Sequence, residues 1–231
     1  MTKEDIIQII SAASGAYSPY QIFYDWVECL ALATANSSTL FHDEIWQERE
    51  QKYLNVMNRH DEKTRQQFLE MTAALMDVYE SGFDDVLGDI YMKSGCGNGH
   101  LGQFFTPYHI AQLTAAAGME IQLYHFDEND AIENPDDKII RMSEPSAGGG
   151  ANIIAAAEWL HNKGIDYQKR LKVVAQDLDW LAVYMTYIAC SFYGIDALVV
   201  QGDTLVNPYT QGKTPERNIL RTPRNRGCLV F

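Results

Sequence analysis

The first part of the chain, residues 1–95, carries its apolar positions at helical spacing. The segment 20–37 is apolar on most faces and follows a Ser-Pro start signal, which predicts a buried helix. The segments 40–60 and 64–79 are amphipathic, and the second repeats its apolar residues three or four positions apart. We therefore predict a mainly helical region that covers a sheet or contacts a partner protein.

Beyond about residue 139 the hydrophobic pattern alternates between two periods. Two helical patterns, 152–163 and 179–192, are each followed by a closing glycine. Apolar runs that contain β-branched residues predict buried strands at 139–143, 171–176 and 197–201. Such alternation predicts a parallel sheet with flanking helices, and a ligand at the carboxyl ends of the strands. The expected fold class is α/β, with a Rossmann-like core in residues 96–231.

The junction between these two parts contains loop signals. The stretch KSGCGNG at residues 93–99 is rich in glycine and predicts a hinge-like loop. Pro107 suits the first turn of a helix, which we expect to run to about Gly118. The acidic, proline-containing run at residues 126–138 is interpreted as a surface loop.

A glycine-rich stretch joins the first predicted strand to the following helix, and it is the best candidate for a ligand site. Glycines let a backbone approach a ligand closely, and the first N–H groups of a helix favour anions. The dinucleotide fingerprint requires a third glycine where Ile153 stands, and a phosphate-binding P-loop requires a lysine that is missing here. A structural glycine turn and an NAD-dependent enzyme are the alternatives.

The residues of this stretch also form a more specific pattern. It reads acid, proline, two residues and Gly-x-Gly, with Asn152 close behind, and it resembles the S-adenosylmethionine (SAM) loop of DNA adenine methyltransferases. Three more stretches resemble the same family in the same order: LGQFFTP at residues 101–107, LKVVAQDLD at 171–179 and LVVQGDTL at 198–205. The similarity extends over residues 99–205 and is greatest to the modification subunits of type I restriction-modification systems.

This resemblance implies which residues hold the methionine end of SAM. Phe105, Thr106 and Pro107 would border it, and Glu144 would face its ammonium group. The rest of the loop would contact the cofactor through Pro145, Ser146, Ala147, Gly148, Gly150 and Asn152.

The nucleoside end of SAM is assigned by the same resemblance. Asp177, at the end of the second predicted strand, would bind the ribose, and Leu178 would lie beside the adenine. Asp203 would face the exocyclic amine of the adenine, and Thr204 completes the Gly-Asp-Thr-Leu signature.

The catalytic residues stay unassigned. N6-adenine methylation in this family uses Asn/Asp-Pro-Pro-Tyr/Phe to hold the amine and stack on the flipped base. This sequence has no such tetrad: Asn207-Pro208-Tyr209 lacks one proline and follows the third strand directly, so we interpret it as a turn. The apolar residues 228–231 could begin a fourth strand, which predicts a core truncated at its C-terminal end.

Composition is that of an ordinary soluble protein, with 231 residues, 46% of them hydrophobic. No apolar run approaches the ~20 residues of a membrane helix, so we expect a cytoplasmic protein without membrane contact. Four cysteines show no CxxC pairing, and the neighbours Cys96 and His100 lack a second ligand pair. We therefore expect no metal site.

The formal net charge is -13, which argues against the whole surface binding nucleic acid. Positive residues concentrate in the last 19 residues, whose five cations, Lys213, Arg217, Arg221, Arg224 and Arg226, are opposed only by Glu216. We expect any DNA binding to need another subunit.

Two function hypotheses follow. The first is a SAM-dependent, N6-adenine DNA methyltransferase of the restriction-modification type, whose protein partner supplies specificity or the missing catalytic segment. The second is a catalytically inactive SAM-binding or structural module that acts with a partner protein.

Overall fold

The structure is a computed structural model that describes residues 2–13, 17–96, 105–129 and 139–225, with the side chains of 124–129 left aside. It is an α/β structure in which helices predominate over a mixed, four-stranded sheet. The described α-helices are α1 Lys3–Ala13, α2 Pro19–Ser37, α3 Glu44–Met57, α4 Glu62–Glu80, α5 Val86–Lys93, α6 Tyr108–Asn129, α7 Ala151–Asn162, α8 Tyr167–Arg170 and α9 Trp180–Phe192.

The strands lie in the order in which they occur along the chain. They are β1 Ile140–Glu144, β2 Leu171–Asp177, β3 Asp196–Gln201 and β4 Ile219–Arg221. The first three are parallel, as the sequence predicts, but β4 pairs antiparallel with β3. The expectation of a purely parallel sheet is therefore wrong. No α-helix joins β3 to β4 in the described chain, and an antiparallel neighbour needs only a loop.

The two faces of the sheet have different covers. Val173 and Val199 belong to the main core, together with the buried residues of α7 and α9. Their neighbours Val174 and Leu198 point to the opposite face, where they form a small cluster against Tyr209. Among the described residues, this second face is covered by the loop after β3 and not by a helix. Within the same residues, β1 has a strand neighbour on one side only.

The N-terminal helices and the sheet share one core. A single hydrophobic cluster includes Trp26 and Leu87 from the helical region and Ile153 and Val173 from the α/β region. Polar contacts join the same regions, since the Tyr184 hydroxyl on α9 donates to Glu28 on α2 at 3.2 Å. The helical region thus packs directly on the layer that positions the strands.

Several helix boundaries follow from local signals. Ser18 caps α2 by accepting a hydrogen bond from the Gln21 N–H at 3.1 Å. Gly164 and Gly194, with φ of 74° and 66°, follow α7 and α9 in the left-handed conformation that closes a helix. Gly118 has no such conformation, and α6 continues through it to Asn129. The predicted helix end at Gly118 is therefore wrong. The predicted loop at residues 126–138 is also wrong for residues 126–129, which are helical.

The ranges 97–104, 130–138 and 226–231 lie outside the described residues. They contain the end of the hinge-like loop, most of the acidic run, His100 and the apolar residues 228–231. Within the described ranges, no helix is long and apolar enough to cross a membrane.

Candidate functional site

The glycine-rich loop is fastened to the end of the neighbouring strand. β1 ends at Glu144 and α7 begins at Ala151, with the turn between them. The Ala147 N–H donates to the Gln176 carbonyl at 3.0 Å, and the Gly148 N–H donates to Asp177 Oδ2 at 2.9 Å. These bonds hold the loop beside the carboxyl ends of β1 and β2, where ligands bind in open α/β sheets.

A cavity of about 260 Å³ opens between this loop and the segment that precedes α6. Its lining contains many of the residues that the sequence predicts as a site: Phe105, Thr106, Ser146, Ala147, Gly148, Asn152 and Asp177. Gly149, Ala151 and Ala182 complete it. Three stretches that are far apart in the sequence thus meet around one cavity.

Two glycines of the loop are required by close approaches. A Cβ on Gly148, whose φ is 54°, would lie 3.0 Å from the Phe105 ring, and a Cβ on Gly149 would lie 2.9 Å from Asp85 Oδ1. Side chains avoid such close contacts, and at Gly148 they would also have to adopt a left-handed φ, so larger residues would strain both positions. The glycines let a ring from before α6 and a carboxyl from the helical region reach the loop.

Other predicted residues near the loop lie outside the cavity lining. Glu144 accepts hydrogen bonds from the Ser146 N–H at 3.4 Å and from Asn152 Nδ2 at 3.0 Å, so both carboxylate oxygens bond to the chain. Gly150, with φ of 91°, is the residue that caps the start of α7. The carbonyl of Pro145 accepts a hydrogen bond from the Thr204 hydroxyl at 2.6 Å.

The remaining predicted residues lie at the edges of this region. Leu178 is 66% exposed directly after β2. Asp203 Oδ1 accepts hydrogen bonds from the N–H groups of Leu205 and Val206, at 2.9 and 3.1 Å, and so stabilises the turn after β3. Neither residue lines the cavity beside the loop. Pro107 lines a second, neighbouring cavity.

This second cavity has a volume of about 400 Å³ and shares Phe105 and Thr106 with the first. Three aspartates of the α5 region line it, Asp84, Asp85 and Asp89, together with Gly88, Met92, Pro107, Tyr108 and His109. Lys3 forms ion pairs with Asp84 and, at 2.9 Å, with Asp89. The acidic wall of the site therefore comes from the N-terminal region, which the sequence left without a specific role.

Asp85 is the most buried of these carboxyls, with 5% exposure. Its Oδ1 accepts a hydrogen bond from the Gly88 N–H at 3.1 Å and caps α5. Burial raises the pKa of Asp85 to about 6, since the charged form loses hydration. Sequence reasoning missed this residue. A local signal for a cap existed in Asp-Val-Leu-Gly, but no pattern shows that residue 85 faces residue 149.

A second contact outside the predicted set steadies the loop. The Thr186 hydroxyl on α9 donates to the Gly148 carbonyl at 2.9 Å. The residue was visible in the sequence only as part of the predicted helix 179–192.

The stretch Asn207-Pro208-Tyr209 forms no regular element, in agreement with its interpretation as a turn. The side chain of Gln176 holds it, because its Nε2 donates to the Asn207 carbonyl and its Oε1 accepts from the Tyr209 N–H, both at 2.9 Å. The ring of Tyr209 packs on the second face of the sheet. This stretch is therefore committed to packing within the chain.

The basic residues near the C-terminus differ in their surroundings. Arg221 forms a two-pronged ion pair with Glu216, with contacts of 2.6 and 3.0 Å. Arg224 donates to the Gln168 carbonyl at 3.2 Å, whereas Lys213 and Arg217 are exposed. Arg226 lies outside the described residues.

Metal ligands and thiols do not add to the site. The described part of the chain contains no group of three or more His, Cys, Asp or Glu residues that could hold a metal ion. Cys96 is buried 2.9 Å from the Ser94 hydroxyl, and the Cys96–His100 hypothesis involves a residue beyond the described ranges. Burial raises the pKa of Cys96 to about 11, which makes it a poor nucleophile.

Comparisons with known proteins leave the site to be interpreted from its own residues. The sequence matches no protein-family model and no curated protein.

Proposed function

We propose that this chain is a SAM-binding module, with a Rossmann-like core, of the N6-adenine DNA methyltransferase type. The observation that supports the proposal best is the cavity between the glycine-rich loop and Phe105-Thr106. The cavity lies at the carboxyl ends of β1 and β2. Three of the stretches that line it resemble segments of the modification subunits of type I restriction-modification systems.

The size and chemistry of the site suit such a ligand. Sites for small molecules have volumes of about 300–1,000 Å³. The cavities that meet at Phe105 and Thr106 have volumes of about 260 and about 400 Å³, enough together for an extended cofactor. Gly148 and Gly149 carry no side chain that would fill the cavity. The Asp177 carboxylate lines it and accepts the N–H groups of Gly148 and Asp179, and its remaining acceptor sites would bind ribose hydroxyls.

Methyl transfer would need one more component. SAM supplies an electrophilic methyl group, and an adenine N6 amine held in line with it would form the new C–N bond as the S–C bond breaks, with the thioether as leaving group and one N6 proton released to water. The sequence lacks the Asn-Pro-Pro-aromatic tetrad that would hold the amine. We therefore propose that a protein partner supplies this segment and that DNA binds to the assembly.

The second candidate is a SAM-binding or structural module without catalytic activity. It is favoured by the packing of Asn207-Pro208-Tyr209, whose backbone is bonded to Gln176 and whose ring covers the sheet. The first candidate requires SAM binding, and the second includes a form that binds SAM, so binding is the first property to test.

Calorimetric titration of S-adenosylhomocysteine, the demethylated product, into the intact protein tests the proposal. We expect binding that Asp177→Asn weakens about tenfold, the size of one lost charged hydrogen bond. Asp166→Asn is the matched control, because Asp166 caps α8 immediately before the opposite end of β2 and should leave binding unchanged. A folded protein that binds neither the product nor SAM would contradict the proposal.

Transfer itself is tested by mixing the protein, labelled SAM and adenine-containing DNA, with and without candidate partner proteins. Incorporation of label into DNA only when a partner protein is present would support an enzyme whose catalytic segment is supplied by that partner. Cofactor binding without incorporation under any pairing would favour the inactive module.

A further inference from the structure

We propose that Asp85, from the N-terminal helical region, is a binding residue of this site and accepts the cationic amino group of the ligand. The inference rests on the proposed function and extends it. It assigns the second cavity, which is lined by the aspartates of the α5 region, to the amino-acid end of SAM.

The position of Asp85 supports this assignment. Its carboxyl lies against the glycine-rich loop, where a Cβ on Gly149 would be 2.9 Å from Oδ1 and 3.3 Å from Oδ2. Gly149 lines the first cavity and Asp85 lines the second, and Phe105 and Thr106 line both. A ligand that extends along the loop past Phe105 therefore reaches Asp85.

The hydrogen bonding of Asp85 leaves capacity for a ligand. Oδ1 accepts the Gly88 N–H, whereas Oδ2 has no partner among the described residues. Two lysines lie at the cluster, and both pair with the other aspartates: Lys3 with Asp84 and Asp89, and Lys93 with Asp89. Within the described ranges, no cation forms an ion pair with Asp85, although the residue is only 5% exposed.

Glu144, the residue that the resemblance assigns to the ammonium group, lies outside both cavities. Its two oxygens accept hydrogen bonds from Ser146 and Asn152. Its role is better described as shaping the loop. Asp85 is the buried carboxyl that lines a cavity, and its Oδ2 has no partner among the described residues.

The charge of the second cavity selects the kind of ligand group. Three carboxyls against two lysines, Lys3 and Lys93, leave an excess of negative charge, which favours a cation and disfavours DNA phosphate. A metal ion is not indicated, because the described residues hold no suitable ligand group. An organic ammonium group with three N–H donors fits a carboxylate oxygen that lacks a donor.

The burial of Asp85 also costs stability in the absence of a cation, as its pKa of about 6 indicates. A helix cap does not require this cost, since an exposed aspartate, Asp61, caps α4 by accepting the N–H of the residue three positions ahead, as Asp85 does in α5. A bound ammonium group would offset the cost. This is the behaviour expected of a carboxyl placed for ligand binding.

The test compares two ligands and three proteins at neutral pH by calorimetry. The ligands are S-adenosylhomocysteine and its derivative in which hydrogen replaces the α-amino group. The proteins are the unaltered chain, Asp85→Asn and the control Asp61→Asn, which alters a helix cap remote in sequence. We expect Asp85→Asn to weaken binding of S-adenosylhomocysteine about tenfold, as for the loss of one charged hydrogen bond. Binding of the deaminated derivative should stay within about twofold in all three proteins.

The outcomes separate the inference from the proposed function. If both ligands bind and Asp85→Asn leaves their affinity ratio as in the unaltered chain, Asp85 is only a helix cap and the inference fails alone. An equal loss of affinity for both ligands in Asp85→Asn would indicate a general disturbance of the site and would also overturn it. If the unaltered chain binds neither ligand, the inference fails together with the proposed function.

Discussion

Two buried aspartates, one in the N-terminal helices and one at the candidate site, have very different partners. Asp25 is 1% exposed and contacts the Arg59 guanidinium, His60 Nε2 and Gln21 Nε2 at 2.9, 2.7 and 2.8 Å. Asp85 is 5% exposed and accepts one backbone N–H. Both carboxyls are buried, but within the described chain only Asp25 forms an ion pair with a permanently charged side chain, that of Arg59.

The contrast distinguishes structural from functional burial. A carboxyl that serves the fold is surrounded by its own donors, because an unpaired buried charge is costly. A carboxyl that serves a ligand keeps unused capacity until the ligand arrives, and its pKa shifts accordingly. Asp25 follows the first rule, and the proposal made above for Asp85 assigns it to the second.

Removal of the Asp25 carboxyl should give the largest loss of stability. Asp25→Ala leaves the fully buried His60 and the guanidinium of Arg59 without their acceptor, and we expect unfolding to become easier by about 3 kcal/mol. Urea denaturation followed by circular dichroism measures this. A loss below about 1 kcal/mol would mean that Asp25 is no better anchored than Asp85.

Replacement of Asp85 should increase the free energy of unfolding at neutral pH, whereas replacement of Asp25 should lower it. The folded pKa is raised from 3.8 to about 6, so the unfolded state ionises first and stability falls as pH rises through this interval. The penalty is complete above about pH 6 and corresponds to roughly 3 kcal/mol. Asp85→Asn retains an acceptor for Gly88 and removes the charge, so it should stabilise the protein near neutral pH.

The pH dependence provides the control for this prediction. The advantage of Asp85→Asn over the unaltered chain should shrink as the pH is lowered from about 7 to about 5, where the native carboxyl is largely protonated. Urea denaturation at both pH values measures it. An equal difference at the two values would show that the charge of Asp85 is not the cause.

Gly148→Ala should have a smaller, mixed effect. The left-handed φ of 54° and the Phe105 ring at 3.0 Å from the new Cβ both disfavour alanine, with an expected cost of about 1–2 kcal/mol. Gly164→Ala is the matched control, because its φ is 74° but its Cβ would meet nothing within 4 Å. We expect both variants to lose stability and only Gly148→Ala to lose ligand affinity. Loss of affinity in neither variant would separate the loop from the ligand.

The smallest expected effect concerns a cap next to the Asp25 cluster. Ser18→Ala removes the acceptor of the Gln21 N–H and should cost about 1 kcal/mol of stability. Thermal unfolding measures this loss. A change in ligand affinity would contradict the account in which the surroundings of Asp25 serve the fold and only those of Asp85 serve the ligand.

Much of the α/β architecture can be predicted because its signals are local. The change of hydrophobic period after residue 139 identifies β1, β2 and β3. The glycines that follow α7 and α9 mark the ends of these two helices. The lining of the first cavity is also largely predictable, because Phe105, the loop and Asp177 each belong to a recognisable stretch.

The errors of prediction have tertiary causes. Gly118 is a helix-ending signal in sequence, but in α6 it adopts ordinary helical geometry. The short β4 is specified by its pairing with β3 more than by a pattern of its own. Asp85 was missed because it meets Gly149 only after α5 has packed beside the loop. The assignment of SAM and of each contact to it stays a prediction.

The most direct test of the central claim is hydrogen exchange of the intact protein with and without S-adenosylhomocysteine. If the helical region and the glycine-rich loop form one ligand site, added ligand should slow exchange in both residues 84–89 and residues 145–152. The region around Asp25 should not change. Protection of neither segment would contradict a ligand site at this loop, and protection of residues 145–152 alone would contradict the contribution of the helical region.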